Sequence, residues 1–143
     1  MRIIVTAGLL LGLLSISCSK APTTFSEEEL LKVLAEVNRV GPLNFRQQVW
    51  PLLEKKTITY CGPLRDSKVV GMESVLLFEV DKTYTGEKLP WLLEGKSASP
   101  DLAPSHKVGE AVCMTGIIEG FMFHEPSYWG YVKIQSVEKQ RTS

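Results

Sequence analysis

The spacing of apolar residues changes once along this chain, and that change restricts the folds open to it. Leu30, Leu34 and Val37 recur at helical spacing with Leu31 beside them, and Phe45, Val49, Leu52 and Leu53 follow at intervals of four, seven and eight. From Thr57 the repeat is two, beginning with the alternating run Thr57-Ile58-Thr59-Tyr60-Cys61. Helices first and strands afterwards indicate an α+β domain, with N-terminal helices packed on a small, strongly curved antiparallel sheet. At 143 residues with 44% apolar side chains, the chain has material for one core.

The first helix has clear limits. Ser26 and Glu29 form a capping box, Phe25 and Leu30 a hydrophobic staple, and Glu27, Glu28 and Glu29 favour the positive end of the helix dipole. Gly41-Pro42 stops the helix, and Pro51 predicts a kink or break near Trp50 in the second one. Gly62-Pro63 is expected to end the first strand. Val69-Val70 and the stretch from Ser74 to Tyr84 read as one long bent strand or two short ones, with Gly71 at the bend. Residues 86–109 hold Pro90, Pro100 and Pro104 and read as a connection, with at most a short strand or helical turn around Leu89 to Leu93. A strand is expected from Ala111 to Phe123, with Gly116 and Gly120 as sites for a bulge. A turn at His124-Glu125-Pro126-Ser127 and a closing strand from Tyr131 to Val137 follow.

The N-terminus is of another kind. Arg2 precedes the apolar stretch from Ile3 to Ile16, which is shorter than the roughly 20 residues of a membrane-spanning helix and ends in Ser15 and Ser17. These are the parts of an export signal. Leu14-Ser15-Ile16-Ser17-Cys18 resembles the lipobox of bacterial lipoproteins, with Ser15 where that family usually carries leucine. The resemblance implies cleavage before Cys18, lipidation of its thiol and a place in the cell envelope, the outer membrane favoured over the inner because Ser19 and not Asp follows the cysteine. The domain would then lie in the periplasm or at the surface. The expected organisation is a signal over 1–17, a lipidated cysteine and tether over 18–25, and one domain over 26–143, with helices in 26–54 and sheet in 56–138. Between Gly109 and Val137, the glycine-punctuated strand and its aromatic return strand resemble the last hairpin of an OB-fold barrel. Open sandwiches and lipocalin-like half-barrels are the alternatives.

Three cysteines in an exported chain leave an odd one unless Cys18 is acylated, in which case Cys61 and Cys113 remain as a pair. If their strands are neighbours they form a disulfide; otherwise they are two buried thiols. With His106 and His124 they offer no two ligands at zinc-site spacing, so no metal or cofactor is expected. His124-Glu125 sits in a turn where adjacent side chains diverge. No nucleophile elbow, phosphate loop, HExxH helix or CxxC pair occurs, so the chain is expected to bind rather than catalyse. Its most concentrated feature is aromatic: Phe121, Phe123, Tyr128, Trp129 and Tyr131, a candidate ligand or partner surface. Sixteen basic and sixteen acidic groups give zero net charge, from which a nucleic-acid partner is not expected. The leading expectation is a lipid-anchored envelope module, acting on another envelope protein as an assembly or exclusion factor. The alternative is an OB-type protein that takes a glycan or single-stranded nucleic acid on the aromatic hairpin.

Overall fold

The computed structural model describes residues 23–80 and 90–140. The expected signal, Cys18, most of the tether and the strand reading of residues 81–84 lie outside the described residues. In chain order the elements are β1 (Thr24–Phe25), α1 (Glu27–Val40), α2 (Pro42–Asn44), a π-helical turn (Phe45–Val49), α3 (Trp50–Leu53), β2 (Thr57–Val70), β3 (Glu73–Glu79), β4 (Trp91–Ser97), a 3₁₀ turn (Ala103–Ser105), β5 (Ala111–His124) and β6 (Ser127–Lys139). Among the described residues no helix is long and apolar enough to cross a membrane.

The strands run side by side in the order β1-β2-β3-β4-β6-β5, and β5 returns to β2. The closure is possible because β2 serves two neighbours. Thr57–Pro63 pair with β5, and beyond a register shift between Leu64 and Asp66 its second half pairs with β3. Each long-strand contact is antiparallel except β4 with β6, which is parallel. A five-stranded closed sheet with this order and this one parallel contact has the topology of an OB-fold barrel. Two further register shifts, at Thr115/Gly116 and Ile118/Gly120, give β5 and β6 the curvature that closure needs.

Alternate residues of every strand fill the barrel, among them Ile58, Tyr60, Leu76, Phe78, Leu93, Val112, Met114 and Ile118. Helix α1 starts at the expected capping box, in which Ser26 Oγ accepts from the Glu29 amide and Glu29 Oε1 from the Ser26 amide. It lays Leu30, Leu31, Leu34 and Val37 onto this core. The buried Trp91 donates its indole N–H to the Leu34 carbonyl at 2.9 Å, which fixes the helix against β4. Phe45 packs on Trp91 and Phe121, with ring centroids 5.7 and 4.9 Å apart.

The structure departs from the sequence reading, or decides between its alternatives, at several places. Pro51 causes no break; instead Trp50 donates to the Phe45 carbonyl five residues back, and the widened turn absorbs the proline as helical backbone continues to Leu53. Gly62-Pro63 does not end a strand but lies inside β2, Pro63 opposite Ala111. Of the two readings around Gly71, the one with two strands is found: Gly71, at φ +64°, lies in the tight turn that separates β2 from β3. Residues Trp91–Ser97, read mostly as connection, form a central strand. Thr24–Phe25, assigned to the tether, form β1 in parallel register with Thr57 and Ile58.

Candidate ligand-binding face

Cys61 and Cys113 face each other across β2 and β5, with Cα atoms 4.0 Å apart, and are joined as a disulfide. The pair lies in a ladder with Thr59 and Thr115, whose hydroxyls hydrogen-bond at 3.0 Å. This seam carries a crosslink and no titratable cluster.

The five aromatics of the hairpin divide into two sets. Phe121 and Tyr128 are 6% and 4% exposed and belong to the core, where they contact Trp91 at 5.4 Å each. Neither offers a free face to a ligand, so their place in the expected binding surface is corrected. Phe123 is partly exposed near the hairpin end and leans on Tyr128. Trp129 and Tyr131 point outward from β6 and stack on one another, centroids 6.2 Å apart and planes 12° from parallel. These two form the outward ring surface of the hairpin.

Around that pair the parallel contact of β4 with β6 sets side chains in rows: Leu92 beside Trp129, Glu94 beside Tyr131, Lys96 beside Lys133. Glu119 joins them from β5. It is the residue left unopposed by the register shift between Ile118 and Gly120, and such a bulge re-aims its side chain. Gly120, opposite Tyr131, lets the phenol ring lie close to the β5 backbone; a Cβ there would come within 3.2 Å of Tyr131 Cδ2. Glu73, Glu94, Lys96, Ala98, Glu119, Tyr131, Val132 and Lys133 line an open groove of about 470 Å³. Burial pushes the Tyr131 hydroxyl above the usual phenol range, and the Glu94 carboxylate beside it adds to the shift, so the group stays a neutral hydrogen-bond donor.

Sequence reasoning missed the groove-lining residues Glu94 and Lys96, because they sit on the strand that was read as a connection. His106 is remote in role from His124: its Nδ1 lies 3.0 Å from Glu110 Oε2 in the loop before β5, whereas His124 is exposed at the β5 end. Among the described residues no cluster of His, Cys, Asp and Glu could hold a metal ion.

No family model matches the chain, and no curated protein does. Among solved structures it is similar to the S. pombe Stn1-Ten1 complex, at 22% identity and a TM-score of 0.43 over 60% of this chain and 59% of that one. It is also similar to an aspartyl-tRNA synthetase from Entamoeba histolytica, at 9% identity and 0.47 over 65% of this chain and 20% of that one. A putative aspartyl-tRNA synthetase from Leishmania major gives 9% identity and 0.48, over 96% and 26% of the two chains. The chain thus spans less than two thirds of each of these proteins. The expectation that a nucleic-acid partner is unlikely is corrected here, because the charge argument behind it does not hold. Its physical weakness was to use a sum over the whole chain: zero net charge says nothing of one face, and here Lys96 and Lys133 stand side by side on the outside of the barrel.

Proposed function

We propose that this protein is a binding module that takes an oligomeric, ring-bearing ligand, a glycan or a single nucleic-acid strand, along the outer face of β4 and β6. The observation that carries this reading is the outward Trp129–Tyr131 stack beside a charged groove. Flat aromatic faces stack on bases or on the apolar faces of sugar rings. Lys96 and Lys133 supply donors, the carboxylates of Glu94 and Glu119 supply acceptors, and the neutral Tyr131 hydroxyl supplies a further donor.

The test is a titration of intrinsic tryptophan fluorescence with short single-stranded oligonucleotides and, separately, with oligosaccharides. Trp129→Ala is expected to weaken binding by about tenfold or more and to leave the melting temperature nearly unchanged. Phe121→Ala is expected to cost about 3–5 kcal/mol of stability. Saturable binding that ignores Trp129 would place the ligand elsewhere.

The site of action is a separate proposal, supported by residues 1–18 alone. Export and lipidation at Cys18 would hold this barrel at a membrane of the cell envelope by a tether of about five residues, where an envelope protein is a further candidate partner. Cys18→Ser is then expected to move the protein from the membrane pellet to the soluble fraction after export. Equal distribution of the two forms would remove that proposal and leave the ligand-binding one intact.

A further inference from the structure

Register places three lysines in one line across the outside of the barrel. Lys68 of β2 lies opposite Val75 of β3, Val75 opposite Lys96 of β4, and Lys96 beside Lys133 of β6. Residues opposed across a sheet share a face, so the three side chains leave the same side, and all three are exposed. Val75 shows that this side is the outer one. It is buried yet stands outside the core cluster, as befits an apolar residue flanked by two long aliphatic stems. At roughly 4.8 Å between neighbouring strands, the row spans about 14 Å. Among the described residues Lys96 and Lys133 form no ion pair, and Lys68 has only Asp66, at 4.0 Å.

The next row lies two residues along each strand, about 7 Å away, and its chemistry differs. It holds Asp66, Leu77, Glu94 and Tyr131, and beyond it come Leu92 and Trp129. The face is thus divided: cations along one edge, flat rings and carboxylates along the other. A ligand that matches it carries a line of anions on one side and flat rings with N–H donors on the other. A single nucleic-acid strand is built this way. Its phosphates follow one edge, each base has a face to stack, and the amino groups of cytosine, adenine and guanine donate to carboxylates. The carboxylate row repels a phosphate that strays from the lysines, which fixes the strand across the face. A neutral sugar chain presents hydroxyls on all sides and leaves the lysine row nothing to neutralise.

We infer that Lys68, Lys96 and Lys133 form a phosphate track, and that the ligand of this face is a single nucleic-acid strand. It lies across β2, β3, β4 and β6 with its bases over Tyr131 and Trp129 and beside Glu94. The inference rests on the binding reading above and narrows it to one class of ligand.

The test is fluorescence anisotropy of short labelled oligodeoxynucleotides at several salt concentrations, with tryptophan fluorescence against a neutral oligosaccharide in parallel. Circular dichroism confirms that each variant is folded. Three phosphate contacts predict a slope of about −2 for log affinity against log salt. Lys68→Gln, Lys96→Gln and Lys133→Gln are each expected to make that slope shallower by about 0.7 and to weaken binding about three- to tenfold at low salt, alike for all sequences. Oligodeoxycytidine is expected to bind more tightly than oligothymidine, whose base has no amino group, and Glu94→Ala to remove that difference. A salt slope that is the same in the parent and in Lys68→Gln would overturn the phosphate track, and equal affinity for the two sequences the placement of bases beside Glu94. Binding of the neutral oligosaccharide alone would overturn the ligand class and leave the binding reading in place. No saturable binding of either ligand would remove that reading, and this inference with it.

Discussion

Glu110 is one residue through which pH reaches this fold. Its Oε1 accepts the Lys107 amide at 3.0 Å and its Oε2 lies 3.0 Å from His106 Nδ1, so one carboxylate closes the loop ahead of β5. The backbone bond from Lys107 is the main cause that holds its pKa below the ordinary carboxylate value, and the bond from His106 adds to it. A depressed carboxylate pKa contributes stability above the unfolded-state value, and that contribution disappears as pH falls through the folded-state value. Melting temperature is accordingly expected to fall below about pH 4.5, and Glu110→Gln is expected to flatten that acid limb while lowering stability near neutrality. An unchanged acid limb in Glu110→Gln would assign the pH dependence to other carboxylates. The aromatic residues show a limit of reading at this scale. Val112, Met114, Gly116 and Ile118 point inward, and the same phase carried forward would turn Phe121 outward as a ligand contact. The bulge at Glu119 shifts the phase by one, so Phe121 is buried and Met122 exposed. The sequence marks such a site by a glycine, yet one glycine does not say which residue is left over.

Elements were legible where local chemistry sets their limits and obscure where a neighbour does. Helix α1 carries its cap, its staple and its stop between Phe25 and Pro42, and it forms as the residues require. Strand β4 carries no such marks. Trp91, Leu92 and Leu93 are all buried, because core lies on one side and Trp129 flanks Leu92 on the other, so no alternation is visible. Its parallel partner comes 37 positions later in the chain, out of reach of any local pattern. Glycines reveal the same dependence on neighbours. A Cβ at Gly116 would run into the Lys133 carbonyl oxygen of β6, a backbone atom that has no rotamer with which to yield, whereas at Gly120 it would meet the edge of the partly exposed Tyr131 ring. Gly116→Ala is therefore expected to cost about 1–3 kcal/mol in urea unfolding and Gly120→Ala clearly less. If the two cost the same, close approach at the first bulge is not what the glycine provides.

At the scale of the molecule the question is what keeps a closed sheet closed. The barrel is a ring of strand contacts, and β2 is a link under particular demand: one chain must bend from β5 to β3 at Leu64, and the seam to β5 contains Pro63, which has no amide to donate. The Cys61–Cys113 disulfide crosses that seam, joining residues 52 positions apart. By loop-closure entropy a crosslink of this span destabilises the unfolded chain by about 4 kcal/mol, a large part of the roughly 5–15 kcal/mol that holds a domain of this size together. The double variant Cys61→Ser/Cys113→Ser is thus expected to remain folded, since the core on both sides of the seam is complete, but to unfold at markedly lower urea with a similar slope. Reductant should reproduce the shift in the parent and leave the double variant unmoved. A stability that ignores both the substitution and the reductant would mean that the seam is held by its own strand ladder and core packing alone, so that barrel closure needs no covalent help.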